Sequence, residues 1–114
     1  MTTRSLDLLQ GTLDVLVLRA LTWGPMHGYG VARFIRDGSG AAFKVLDGAL
    51  YTSLHRMEER GWIESEWGLS DAGKRAKFYR LTTAGHRALR DETEQWNAYV
   101  AAVASVLHAS PEPA

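Results

Sequence analysis

Trp62-Ile63-Glu64-Ser65-Glu66-Trp67-Gly68-Leu69-Ser70-Asp71-Ala72-Gly73-Lys74-Arg75-Ala76-Lys77-Phe78-Tyr79-Arg80-Leu81 reads as a β-hairpin. Its two ends, Trp62 to Trp67 and Lys77 to Leu81, alternate and are rich in β-forming residues. The connection between them, Gly68 to Ala76, is too long for a two-residue turn, so its tip is glycine-containing, flexible and basic. Immediately upstream, Asp47 is placed as the N-cap of a helix that runs to Arg60, with Gly61 at its C-terminal side. At 100° per residue, Leu50, Leu54 and Met57 fall within an arc of ~60° that faces inward. Thr52, His55, Arg56 and Glu59 take the opposite side, with Tyr51 on its flank.

Further upstream, a short helix spans about His27 to Arg36, with Gly28, Val31, Ala32 and Ile35 inward and His27 able to cap it. Asp37-Gly38-Ser39-Gly40 ends it with two glycines that tolerate the left-handed conformation. Ala42-Phe43-Lys44-Val45 has room only for a small strand. The first periodic segment, Leu6 to Leu21, is apolar over most of its circumference and stops at Trp23-Gly24-Pro25. Its start is open between Ser5 and Thr12, either of which could cap, because Gly11 interrupts the pattern.

Downstream of the hairpin, Thr82 or Thr83 caps a last helix that reaches about His108. Leu89, Thr93, Trp96, Val100, Val103 and Leu107 form an a/d-like seam on it, widened by Tyr99, Ala102 and Val106. Three helices, a twisted hairpin and a long helix make a mainly α protein with a small β-hairpin: a winged helix-turn-helix plus a C-terminal helix. The expected division is a winged helix over residues 1–81, a dimerisation helix over 82–109 and a disordered tail over 110–114.

The chain has 114 residues and no cysteine, which excludes a disulfide framework, a thiolate metal cage and a cysteine nucleophile. Its histidines, His27, His55, His86 and His108, lack metal-ligand spacing, and no phosphate loop or nucleophile elbow is present. The expectation is therefore a protein that is not an enzyme and carries no metal or cofactor. No apolar run reaches the ~20 residues of a membrane span, and Asp7, Gln10 and Asp14 interrupt the N-terminal apolar stretch, so a cytoplasmic location is expected.

Net charge is zero, but it is unevenly placed. Residues 1–71 carry seven basic and nine acidic side chains, a sum of −2. Residues 72–90 carry Lys74, Arg75, Lys77, Arg80, Arg87 and Arg90 with no acid, a sum of +6; residues 91–114 carry four acids and no Lys or Arg, a sum of −4. A local cationic patch attracts phosphate whatever the total. The expected DNA-binding residues are Tyr51, Thr52, His55 and Arg56 on the third helix, with Lys74, Arg75 and Lys77 on the wing. An arginine on that helix can pair with guanine, and wing cations bind phosphate without reading sequence. Arg80 is divided between that role and a cross-strand pair with Glu64 or Glu66. A winged helix that binds only protein is the competing reading, because the fold is also used without DNA.

The seam of Leu89, Trp96, Val100, Val103 and Leu107 cannot be buried within so small a domain, so an isologous homodimer is expected, with the first helix as the other wall. Trp96 and Tyr99 form a candidate pocket for a flat apolar ligand, whereas Trp62 and Trp67 are read as packing.

Gly24-Pro25-Met26-His27-Gly28-Tyr29, Gly48-Ala49-Leu50-Tyr51, Leu54-His55-Arg56-Met57-Glu58, Gly61-Trp62-Ile63 and Gly73 to Gly85 resemble the PadR family of bacterial transcriptional regulators. The resemblance covers residues 6 to about 97 and implies a winged-helix homodimer that represses transcription from double-stranded DNA. It also implies that a small aromatic or drug-like effector releases the DNA. The single C-terminal helix is similar to the family's short branch. By position, Tyr51 matches the recognition-helix tyrosine, His55 and Arg56 the polar pair after it, and Lys74, Arg75 and Lys77 the basic wing. Thr52 stands where the family usually has proline.

Overall fold

A computed structural model of the chain describes residues 8–9 and 11–111. Helix α1 spans Thr12–Ala20 and tightens into a 3-10 turn at Leu21–Trp23. Its start is settled by Gly11, whose φ of 86° turns the chain into the helix, so Thr12 is the first helical residue and its side chain does not cap. Ser5, the alternative start, lies outside the described residues.

Strand β1, Met26–His27, leads directly into helix α2, Gly28–Gly38. His27 is the N-cap, its Nδ1 accepting from the Gly30 N–H at 3.0 Å. After α2, Gly40 takes a left-handed φ of 61° as expected, but Ala41, not Gly38, takes the second, at 65°. The small strand expected at Ala42–Val45 is absent; that segment is irregular, and the third strand of the sheet is β1 instead.

Helix α3 runs Asp47–Glu59. Leu46 occupies the cap position, and Asp47 is the first helical residue, where its charge faces the positive end of the helix without a capping hydrogen bond. Gly61 follows with a φ of 76°, closing the helix and turning the chain into β2, Ile63–Leu69. Strand β3, Arg75–Leu81, pairs antiparallel with β2 from Ile63↔Leu81 to Leu69↔Arg75. Both strands thus extend further than their alternating cores, leaving a short tip whose Ser70 N–H donates to the Lys74 carbonyl at 2.8 Å. On its other edge β3 pairs with β1, Met26↔Tyr79 and His27↔Phe78, giving the order β1-β3-β2.

Helix α4, Thr83–Leu107, is capped by Thr82, whose Oγ1 accepts from the Gly85 N–H at 3.0 Å. The same hydroxyl donates to the Gly61 carbonyl at 2.6 Å, tying the helix to the base of the hairpin. Gly85 is required by close approach, because a Cβ there would fall on the Trp62 carbonyl oxygen. The core gathers Val17, Leu18 and Leu21 with Val31, Ile35, Leu50, Leu54, Met57 and Ile63. Only the first turns of α4 reach it, through Ala88 and, at its margin, Leu89. The rest of this helix projects, which gives the molecule its 64 Å long axis.

Candidate nucleic-acid interface

The flank of α3 at Tyr51, the start of α2 and the inner side of the wing enclose an open groove of about 770 Å³. Tyr51, Lys74, Arg75 and Lys77 line it, together with Tyr29, Arg33 and Trp67. Arg33, Lys74, Arg75 and Lys77 set four positive charges against the one carboxylate, Asp71, among its described lining residues. Low-dielectric walls around charges of one sign focus the field outward, the condition for attracting a polyanion. Tyr51 is half exposed, and its hydroxyl end lies over Gly28, where a Cβ would come within 2.9 Å of Oη. Tyr79 forms the floor at 5% exposure. Burial above all, then the Glu58 carboxylate and Tyr51, hold its phenol above the usual range.

The wing is braced to α3 through Glu58. Its carboxylate accepts from Ser65 Oγ of β2 at 2.7 Å and pairs with Lys77 Nζ of β3 at 3.7 Å. Lys77 also lies 5.7 Å from the Tyr79 ring centroid, so this cation is partly committed within the fold. Arg75 is different: its guanidinium stacks 4.7 Å over the exposed Trp67 ring. Trp67 therefore is not core packing, as the sequence suggested, but an open aromatic surface on the wing. Trp62, in contrast, packs against the core margin beneath Arg60. Arg80 is resolved to the structural alternative, since it pairs with Glu64 at 2.7 Å across the hairpin.

The remaining expected residues lie outside the groove. Thr52 and His55 are exposed on α3, with His55 Nε2 at 2.8 Å from Glu59. Arg56 is turned back toward α1, where its Nη2 and Nε reach Asp14 at 2.5 and 3.3 Å. Sequence reasoning missed Tyr29 and Arg33, which stand one turn apart on the polar side of α2. The i, i+4 spacing was there to be seen.

A second, apolar groove of about 660 Å³ runs between α1 and α4. Val15 and Leu16 of α1 face Leu89, Thr93 and Trp96 of α4 across it, and Arg19 is its one charged lining residue among the described residues. Trp96 and Tyr99 stack with centroids 6.2 Å apart and planes at 27°. Along the projecting helix, Val100 and Val103 are 43% and 39% exposed, and Val106 and Leu107 more so. Among the described residues no His, Asp and Glu cluster could hold a metal ion, and no helix is long and apolar enough to cross a membrane.

Comparison with known proteins agrees with this architecture. The profile of the Transcriptional regulator PadR-like family matches residues 17–91. An uncharacterised protein of Lysinibacillus sphaericus is 32% identical over 91 residues, covering 79% of this chain and 83% of its own. The crystal structure of a PadR family transcriptional regulator from Eggerthella lenta superposes with a TM-score of 0.75 at 32% identity, over 89% of this chain and 86% of that one. A PadR family transcription regulator from Clostridium difficile gives 0.71 at 28% identity, over 85% and 99%. With its four helices, three-stranded antiparallel sheet and wing, this chain belongs to the PadR-like family of transcriptional regulators.

Proposed function

We propose that this chain is a sequence-specific DNA-binding repressor that acts as a homodimer on an inverted repeat. The observation that carries the reading is the groove in which four cations stand with Tyr51 of α3. In this reading Tyr51, Thr52 and His55 on α3 meet the major groove, while Lys74, Arg75 and Lys77 on the wing bind the backbone. Tyr29 and Arg33 add a phosphate contact beside the start of α2. Arg56 is not assigned a base, because its guanidinium is held by Asp14.

Dimerisation follows from the apolar strip on α4. Leaving Val100, Val103 and Leu107 in water forgoes roughly 1.5–3 kcal/mol for each, and an isologous contact buries them twice. Two α3 helices then enter successive major grooves about one DNA turn apart. The apolar groove at Trp96, with Tyr99 beside it, is the assigned site of a flat aromatic effector whose binding releases the DNA.

The test is fluorescence anisotropy with pooled genomic fragments, followed by selection from a random duplex pool. Phosphate neutralisation predicts a log–log salt slope of about −5 or steeper for a dimer, and selection should return an inverted repeat. No binding at low salt would favour a winged helix that recognises protein instead.

A further inference from the structure

Asp14 of α1 is 8% exposed and, among the described residues, accepts three hydrogen bonds, all from α3. Ser53 Oγ donates to Oδ1 at 2.6 Å, Arg56 Nη2 to the same oxygen at 2.5 Å and Arg56 Nε to Oδ2 at 3.3 Å. The guanidinium thus grips both carboxylate oxygens in the geometry that suits a planar fork. Leu50, Leu54 and Met57 press α3 onto the core along one side of its axis. Directional bonds from residues 53 and 56, about one turn apart, add a second constraint on rotation about that axis. Arg56 lies only ~40° around the axis from Thr52, so the clamp fixes the angle at which Thr52 and His55 face outward.

We infer that Asp14 is a positioning residue for DNA recognition: through Ser53 and Arg56 it sets the rotation of the recognition helix, and Arg56 serves the DNA through that clamp rather than by touching a base. The inference rests on the proposed DNA-binding role of α3. It separates cleanly from the opposite account, in which Arg56 reads DNA and Asp14 merely masks it. Freeing Arg56 then strengthens binding, whereas removing a positioning clamp weakens it.

The experiment measures affinity for the selected operator and for a random duplex, across a salt series, with thermal melting of each variant. Asp14→Asn removes the charge, and Arg56→Lys keeps a cation but loses the two-oxygen grip. Each is expected to weaken operator binding roughly ten- to a hundredfold, the size of one lost base contact, with random-duplex binding and its salt slope unchanged. The double variant is expected to lose no more than either single variant. Ser53→Ala, which removes only a neutral bond, should show a smaller loss in the same direction, and it serves if Asp14→Asn melts below the assay temperature. Tighter binding by Asp14→Asn, or full operator discrimination by Arg56→Lys, overturns the inference while leaving the DNA-binding reading in place. Equal losses on operator and random duplex overturn it too, since they report only a smaller folded fraction. A wild-type chain that binds neither duplex removes the DNA-binding reading, and the clamp's role falls with it.

Discussion

Tyr79 and Gly28 show how single residues shape the cationic groove. The folded protein holds the Tyr79 proton to higher pH than the unfolded chain, because burial raises its phenol. The associated stability is therefore whole below the ordinary phenol value of ~10 and is lost as pH climbs through the raised one. Tyr79→Phe should accordingly flatten the fall in melting temperature above the ordinary phenol value of ~10; an unchanged alkaline limb would contradict the assignment. At Gly28, an added methyl meets the far end of Tyr51, a side chain free to swing toward solvent. Gly28→Ala should change stability by less than about 1 kcal/mol, yet weaken DNA binding by displacing Tyr51. Urea unfolding and anisotropy together check both halves. That Arg56 lies off the apolar arc of α3 is legible in the helical spacing, but its turn toward α1 is not, since Asp14 lies 42 residues away and only the packing of α1 on α3 brings them together. The openness of Trp67 is illegible for a related reason: an alternating strand says which residues share a face, not whether that face is covered.

At the level of elements, the four helices and the hairpin were readable because their apolar spacing is consistent over many residues. What escaped was the smallest strand. Met26–His27 is a strand only because β3 lies beside it, and a two-residue pattern carries no periodicity of its own. The segment Ala42–Val45 has strand-like composition but no neighbour, so it stays irregular. Caps were read with mixed success. His27 and Thr82 cap through their side chains, while Thr12 and Asp47 stand one position inside their helices. Thr82 has the larger duty because its hydroxyl serves Gly85 and Gly61 at once. Thr82→Val, which keeps the shape and removes the hydroxyl, should cost about 2 kcal/mol in denaturant unfolding. A loss below ~0.5 kcal/mol would mean that water replaces both bonds.

For the whole molecule, the apolar strip of α4 is visible from its spacing; Leu89 at its start packs at the core margin, and the structure leaves Val100, Val103 and Leu107 uncovered in the single chain. Val103 is 39% exposed there, so a charge at this position does not disturb the core. Val103→Asp should give a folded monomer by sedimentation that has lost operator binding; an intact dimer would place the contact elsewhere. The charge pattern was readable in part. Of the six cations in residues 72–90, Lys74, Arg75 and Lys77 line the groove, whereas Arg80 is spent on Glu64. Distances within the sheet also bear on how a duplex is received. His27 belongs to β1, begins α2 and rests its ring 5.4 Å from that of Phe78 in β3. One imidazole thus joins the root of the wing to the first turn of the helix beside it. Such a joint presets the angle between wing and helix, so a duplex docking there would find its backbone frame in place, and the heat-capacity change should match the contact area alone, without the surplus that marks a segment ordering upon contact.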